Sequence, residues 1–309
     1  MSSAVSPLRL CLAAMVLLIA LLPAAAEPVD ATPRIAVLCA FEPEWKALRA
    51  VATHMEERDY KGVPIVTGEI EGKPVVLVMT GVSMVNAAMT TQMTLDRYNV
   101  TRIVVSGIAG GVDPSLNIGD IAVPERWGQY LEVILARETP QGFRLPSDDT
   151  PEFANFGMMF PRGVRVFREG RASSPRQFWF DVDPVMLEVA RRSEAVTDSE
   201  LQRCSADKVC LLKAPRVRVG GYGVSGPAFV DNAAFRSFTF DTFKAQVLDM
   251  ESAAIAHVAT TNDVPFIVFR ALSDLAGGGP GENEMHVFMD LAANNSVAVM
   301  RTFLKALPD

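Results

Sequence analysis

The stretch Val264-Pro265-Phe266-Ile267-Val268-Phe269-Arg270-Ala271-Leu272-Ser273-Asp274, followed by Gly277-Gly278-Gly279, decides the fold. An unbroken apolar run bounded by a glycine-rich loop reads as a strand buried on both faces, the kind that parallel sheets contain. In open α/β sheets ligands bind beyond the carboxyl ends of the strands, so an acid delivered there is a candidate for proton chemistry. The competing reading is local: aspartate is a favoured turn residue, and Asp274 then only starts the turn into the glycines.

Working outward, strand-like runs recur at 35–39, 75–79, 103–105, 121–123, 217–219 and 265–269. Helical spacing is read at 44–52, 83–98, 250–261 and 291–306. Strands alternating with helices predict an α/β domain with a central mixed β-sheet flanked by helices. The stretch at about 127–213 carries Pro, Arg, Asp and Phe in irregular order, with one helical piece near 184–194. It is expected to be a long excursion from the sheet that partly covers the site.

Arg9, the apolar run Leu10 to Leu22 and the Ala24-x-Ala26 pattern predict a secretory signal peptide over residues 1–26, leaving 27–309 as one exported domain, secreted or periplasmic. No other run approaches the roughly 20 apolar residues of a spanning helix, so no membrane is expected as a partner after signal removal. A formal net charge of -7 without long runs of one sign argues against nucleic acid and anionic membrane surfaces and for small-molecule chemistry. Cys39 falls in the first strand. Cys204 and Cys210 could pair in an oxidising compartment, although closeness in sequence does not establish the geometry. No cysteine has zinc-ligand spacing, and His54, His257 and His286 are scattered, so neither a metal site nor a Ser-His-Asp arrangement is expected.

Three further places carry polar residues suited to a site. Ala40-Phe41-Glu42-Pro43-Glu44-Trp45 follows the first strand and opens a helix, with Pro43 suited to its first turn; acids there either favour the helix N-terminus or face a ligand. Ser106-Gly107-Ile108-Ala109-Gly110-Gly111 reads as a glycine turn that lets backbone approach a ligand, without dinucleotide-fingerprint spacing. Leu248-Asp249-Met250-Glu251-Ser252-Ala253-Ala254-Ile255-Ala256 opens a helix that is small and apolar nearly all round and therefore buried. Asp249 is the better cap for it, which frees Glu251 for a ligand.

Taken with Thr80-Gly81-Val82-Ser83-Met84-Val85-Asn86-Ala87 and Asn117-Ile118-Gly119-Asp120-Ile121, these blocks resemble the purine nucleoside phosphorylase/uridine phosphorylase superfamily. Within it the chain looks most like the 5′-methylthioadenosine/S-adenosylhomocysteine nucleosidases. The run 273–279 and Leu291-Ala292-Ala293-Asn294-Asn295-Ser296 also look like plant bark-storage relatives. The matching blocks occur in order from Arg34 to about Glu125 and from Gly220 to the C-terminus.

The resemblance implies a nucleoside phosphorylase fold, no cofactor, a small-molecule nucleoside substrate and a homo-oligomer, with a dimer favoured. It implies that Asp274 is the general acid for purine N7 and Glu44 the group that activates water. Glu251 would hold the ribose hydroxyls, Met250 would pack on the sugar and Phe229 would stack on the base, whose edge the Val230 backbone would read. Arg270 and Ser273 would orient the carboxylates and the water, and the Ala109-Gly110 backbone would border the ligand. The chain departs from the family pattern at Ile108, where nucleosidases commonly carry a small hydroxyl residue, and at Pro227, where an acid is usual. Phosphorylases place a glycine and an arginine in the first loop to hold phosphate. Glu42 and Glu44 stand there instead, and carboxylates oppose an anion. Hydrolysis of adenine-type nucleosides is therefore expected; phosphorolysis and a non-catalytic nucleoside-binding or storage role are the alternatives.

Overall fold

The computed structural model describes residues 30–146, 150–170, 176–195 and 201–308. The signal-peptide reading of 1–26 lies outside the described residues. In chain order the elements of the main body are β1 (Asp30–Cys39), α1 (Glu42–Arg49), β2 (Thr53–Tyr60), β3 (Val63–Ile70), β4 (Lys73–Met79), α2 (Met84–Arg97), β5 (Tyr98–Gly111), β6 (Ile121–Val123) and β7 (Arg126–Gly128). They continue as β8 (Trp179–Asp181), α3 (Pro184–Ala190), β9 (Val217–Val219), β10 (Tyr222–Ser225), α4 (Ala233–Phe243), β11 (Ala245–Asp249), α5 (Ser252–Thr261), β12 (Phe266–Asp274) and α6 (Met285–Ala306).

The strands form one twelve-stranded mixed sheet in the order β8-β7-β10-β11-β5-β1-β4-β3-β2, with β12 on β5 and β6, and β9 on β6. Its centre is parallel: β1 pairs with β4 and β5, and β12 runs alongside β5. These strands are apolar without alternation because both faces are covered; every residue of β12 is buried. Helices α1 and α6 pack together, with α6 against β12 and β5, while α2 packs against α5. Among the described residues no helix is long and apolar enough to cross a membrane.

Several elements differ from the sequence expectation. β2 carries Glu56, Glu57, Arg58 and Asp59 and is exposed along nearly its whole length, so it has no apolar pattern to read. Its strand form comes from the antiparallel ladder with β3, and its charges blunt the sheet edge. The turns on either side of β3 are tight and left-handed at Lys61-Gly62 and Glu71-Gly72. The glycine turn expected at 106–111 is instead the second half of β5, because β12 pairs with it as far as Gly110 and β11 pairs with Gly110 and Gly111. The phenylalanine-rich stretch 233–243, outside the helices expected from the sequence, is helix α4; the Asn232 side chain accepts from Phe235 N at 2.8 Å and caps it. The α6 helix begins at Met285, ahead of the expected 291, with Asn283 Oδ1 accepting from Met285 N at 2.9 Å.

The stretch 127–213 is not an irregular excursion throughout. It joins the sheet at its start as β7 and again at 179–181 as β8, which pair with each other, and Trp127 and Phe180 are buried there. Three-residue strands are too short to show a period, which hides them in the sequence. Cys204 and Cys210 form a disulfide, and the adjoining Leu211 packs with Phe288 and Leu291 of α6.

The α6–β12 seam holds the site strand in place. Phe303 is fully buried with its ring centroid 5.1 Å from that of Phe269. Phe303→Ala is expected to cost roughly 3–5 kcal/mol of stability, read by equilibrium chemical denaturation.

Candidate active site

The carboxyl ends of β1, β5, β11 and β12 converge on a cavity of about 380 Å³. Of the residues read from the sequence, Glu44, Ala109, Gly110, Phe229, Val230 and Met250 line it, as do Glu251, Ser273 and Asp274. Arg270 stands behind them. No described residue of 127–213 lines the cavity, so the expectation that this stretch covers the site is not met; Tyr130 instead packs behind Val230 and Leu248 and supports that wall from outside.

Arg270 is 1% exposed and surrounded by acids. Its Nε lies 2.7 Å from Asp249 Oδ2, Nη1 3.4 Å from Glu44 Oε1 and Nη2 3.3 Å from Glu251 Oε2. Nη1 also donates to Ile108 O at 3.2 Å, and Nη2 to Ser252 Oγ at 3.0 Å. The route from Arg270 to Glu44 crosses β5 at Gly107, where a Cβ would lie 2.1 Å from Arg270 Nη1 and 2.3 Å from Glu44 Oε1. Only glycine admits this contact. Ser296 of α6 fixes the same point by accepting from Gly107 N at 3.2 Å and donating to Phe269 O at 3.1 Å.

Each carboxylate has its own set of donors. Glu44 accepts from Ala40 N at 2.6 Å and Ile108 N at 2.8 Å. Burial pushes its carboxyl up, while Arg270 and these two backbone donors pull against burial. Glu251 accepts from the backbone of Ser83 at 2.8 Å, a residue held at φ 83°, a rarely populated conformation for a non-glycine residue. Burial beside Asp249 and Glu44 pushes Glu251 up to about 7, against the pull of Arg270. Asp274 Oδ1 accepts from Ala276 N at 2.8 Å and Asn283 Nδ2 at 3.3 Å, while Ser273 Oγ donates to Oδ2 at 2.9 Å. Burial raises Asp274 above the ordinary aspartate range, the direction a proton donor needs.

Asp249 does more than the capping read from the sequence. It accepts from Glu251 N at 3.3 Å and Ser252 N at 3.2 Å at the start of α5, and from the hydroxyls of Ser225 and Ser252. Its ion pair with Arg270 joins two different strands, which no local sequence pattern encodes. Phe41, Val82 and Met285 also line the cavity, and Asn283 reaches Asp274 from outside it; only packing reveals these places. Among the described residues no group of His, Cys, Asp and Glu is arranged to hold a metal ion.

A mixed α/β sheet whose strand ends gather buried carboxyl groups of different surroundings on the wall of one cavity open to solvent defines a small-molecule site. Residues 34–305 match the phosphorylase superfamily model, and the chain belongs to that family. The 5′-methylthioadenosine/S-adenosylhomocysteine nucleosidase of Mycobacterium bovis is 25% identical over 278 residues, covering 89% of this chain and 96% of that protein. Bark storage protein A of Populus deltoides is 27% identical over 263 residues, covering 81% of this chain and 80% of that protein. The solved 5′-methylthioadenosine/S-adenosylhomocysteine nucleosidase from Neisseria meningitidis, in complex with methylthio-immucillin-A, shares the fold. Its TM-score is 0.65 at 23% identity, covering 89% of this chain and 99% of that one.

Removing the cation tests the electrostatics. Arg270→Met leaves Glu44, Asp249 and Glu251 buried without it, and is expected to cost about 3–5 kcal/mol at neutral pH. Burial already holds the carboxyls of Glu44 and Glu251 above their unfolded values, and losing the cation raises them further, so the folded state holds protons that the unfolded state has released. Stability of the variant therefore falls as pH rises from the ordinary carboxylate range toward neutrality and partly recovers on acidification, read by denaturation at about pH 5 and pH 8.

Proposed function

We propose that the protein hydrolyses the N-glycosidic bond of adenine-type purine nucleosides and releases the free base, as a nucleosidase of the 5′-methylthioadenosine/S-adenosylhomocysteine type. The observation that carries this reading is the pairing of a buried, raised acid, Asp274, with a donor-held carboxylate, Glu44, on the walls of one cavity. Asp274 gives its proton to N7 as the C1′–N9 bond breaks and its electron pair passes to the base. Water adds to C1′, and its proton goes to Glu44. Both groups return to their starting states by exchange with solvent. Glu251 accepts from the ribose hydroxyls, Met250 packs on the sugar, Phe229 stacks on the base, and the Val230 backbone reads the base edge.

Phosphate is disfavoured as the nucleophile. No Lys or Arg is among the described residues lining the cavity, and Arg270 behind it is already matched by three carboxylates. The remaining wall includes Phe41, Val82, Ile108 and Met285, which suits a nucleoside whose 5′ substituent is uncharged. Export to an oxidising compartment is supported by the Cys204–Cys210 disulfide. A homodimer is supported by the exposed apolar residues Val82, just before α2, and Val85 and Met89 in its first turns.

Purified protein is expected to release adenine and free sugar at the same rate with and without phosphate. A sugar 1-phosphate product that forms only in phosphate buffer would make it a phosphorylase, and binding without cleavage would make it a nucleoside-binding protein. Asp274→Asn keeps the shape and removes the transferable proton. Its kcat is expected to fall by about 10²–10⁴-fold with a smaller change in KM, measured by steady-state release of adenine.

A further inference from the structure

The glycine-rich loop after Asp274 ends in Asn283, whose side chain reaches back to the acid. Asn283 Nδ2 lies 3.3 Å from Asp274 Oδ1 and 3.3 Å from Asp231 Oδ1, so its two N–H groups serve two carboxylates. Its Oδ1 accepts from Met285 N at 2.9 Å in the first turn of α6. Asp231 directly follows Val230, and the backbone of the next residue, Asn232, donates to Ala276 O at 3.2 Å. One carboxamide thus ties together the acid, the loop that borders the base and the start of α6. Asn283 does not line the cavity.

The two oxygens of Asp274 are not equivalent. Oδ1 faces two donors, Ala276 N and Asn283 Nδ2, and a proton placed there would meet both. Oδ2 has only the Ser273 hydroxyl, which can accept as readily as donate. A carboxyl at a strand end is otherwise free to rotate about its last bond and exchange the two oxygens.

We propose that Asn283 is a positioning residue for the reaction: it locks the rotamer of Asp274 so that Oδ2 carries the proton toward the base, an assignment that rests on the hydrolase reading above. As that proton leaves, negative charge spreads onto Oδ1, where the Asn283 and Ala276 N–H groups meet it. The hydrogen bond from Asn283 is stronger in the transition state than in the substrate complex, so it acts on kcat rather than on KM.

Asn283→Asp separates this role from capping. Aspartate keeps an acceptor for Met285 N and loses the donor to Asp274, whereas Asn283→Ala loses both. Wild type and both variants are assayed with adenosine and with 4-nitrophenyl riboside, whose leaving group departs without a proton. Both variants are expected to lose about 10- to 100-fold in kcat on adenosine with little change in KM, and to cleave the nitrophenyl riboside close to the wild-type rate. Thermal unfolding shows whether each variant is folded. An Asn283→Asp protein that matches wild type on adenosine reduces Asn283 to a helix cap and overturns the proposal. So does an equal loss on both substrates by a folded variant. Wild-type protein that cleaves neither substrate overturns the hydrolase reading, and the proposal with it.

Discussion

One cation buried among three carboxylates is the constraint on which the site depends. Arg270 reaches Glu44, Asp249 and Glu251 from the middle of β12, a strand buried along its whole length. Burying such charges costs several kcal/mol each unless donors complete their hydrogen bonding. Here the donors are Ser225, Ser252 and the backbone N–H groups of Ala40, Ile108, Ser83, Glu251 and Ser252. One positive charge does not fully satisfy three negative ones, which is why burial still lifts Glu44 and Glu251. Three carboxylates around one cation leave this side of the cavity a poor place for a further anion.

Division of labour follows from which group lies near the cation. Glu44 and Glu251 touch Arg270 and carry hydrogen bonds from backbone that hold them as acceptors. Asp274, four residues further along β12, is lifted by burial, with only neutral donors pulling against it. The same strand thus supplies the cation that steadies three carboxylates and, four residues further on, a carboxyl that makes no ion pair with it. Two carboxyl groups in different surroundings can take opposite roles in proton transfer.

The surroundings hold these strand ends in register. Ser296 on α6 ties β5 to β12 behind Gly107, and Ser106 Oγ lies 2.8 Å from the same hydroxyl. On the other side, Tyr130, Phe178 and Phe243 form an aromatic cluster behind the wall that carries Val230 and Leu248. Tyr130 and Phe178 of the segment 127–213 thus support that wall from behind.

The sequence alone determined the α/β class, the buried strand ending in Asp274, the helix opening at Glu42–Pro43 and the buried character of α5, because each is written in local periodicity, turn chemistry or composition. It also marked Glu251 and Asp274 as candidates for ligand chemistry, while Glu42 and Glu44 stood open between a helix N-terminus and a ligand until the family resemblance singled out Glu44. Strands β2, β7 and β8 were not legible, since an exposed edge and three-residue strands owe their form to pairing with partners elsewhere in the chain. The ion pairs of Arg270 join residues up to 226 positions apart, and no local pattern encodes them. The same holds for the glycine that must stand at 107: its need arises from two side chains of β12 and α1 meeting across β5. Only the tertiary structure decides such matters, because electrostatic and steric terms act through space while sequence patterns report neighbours along the chain.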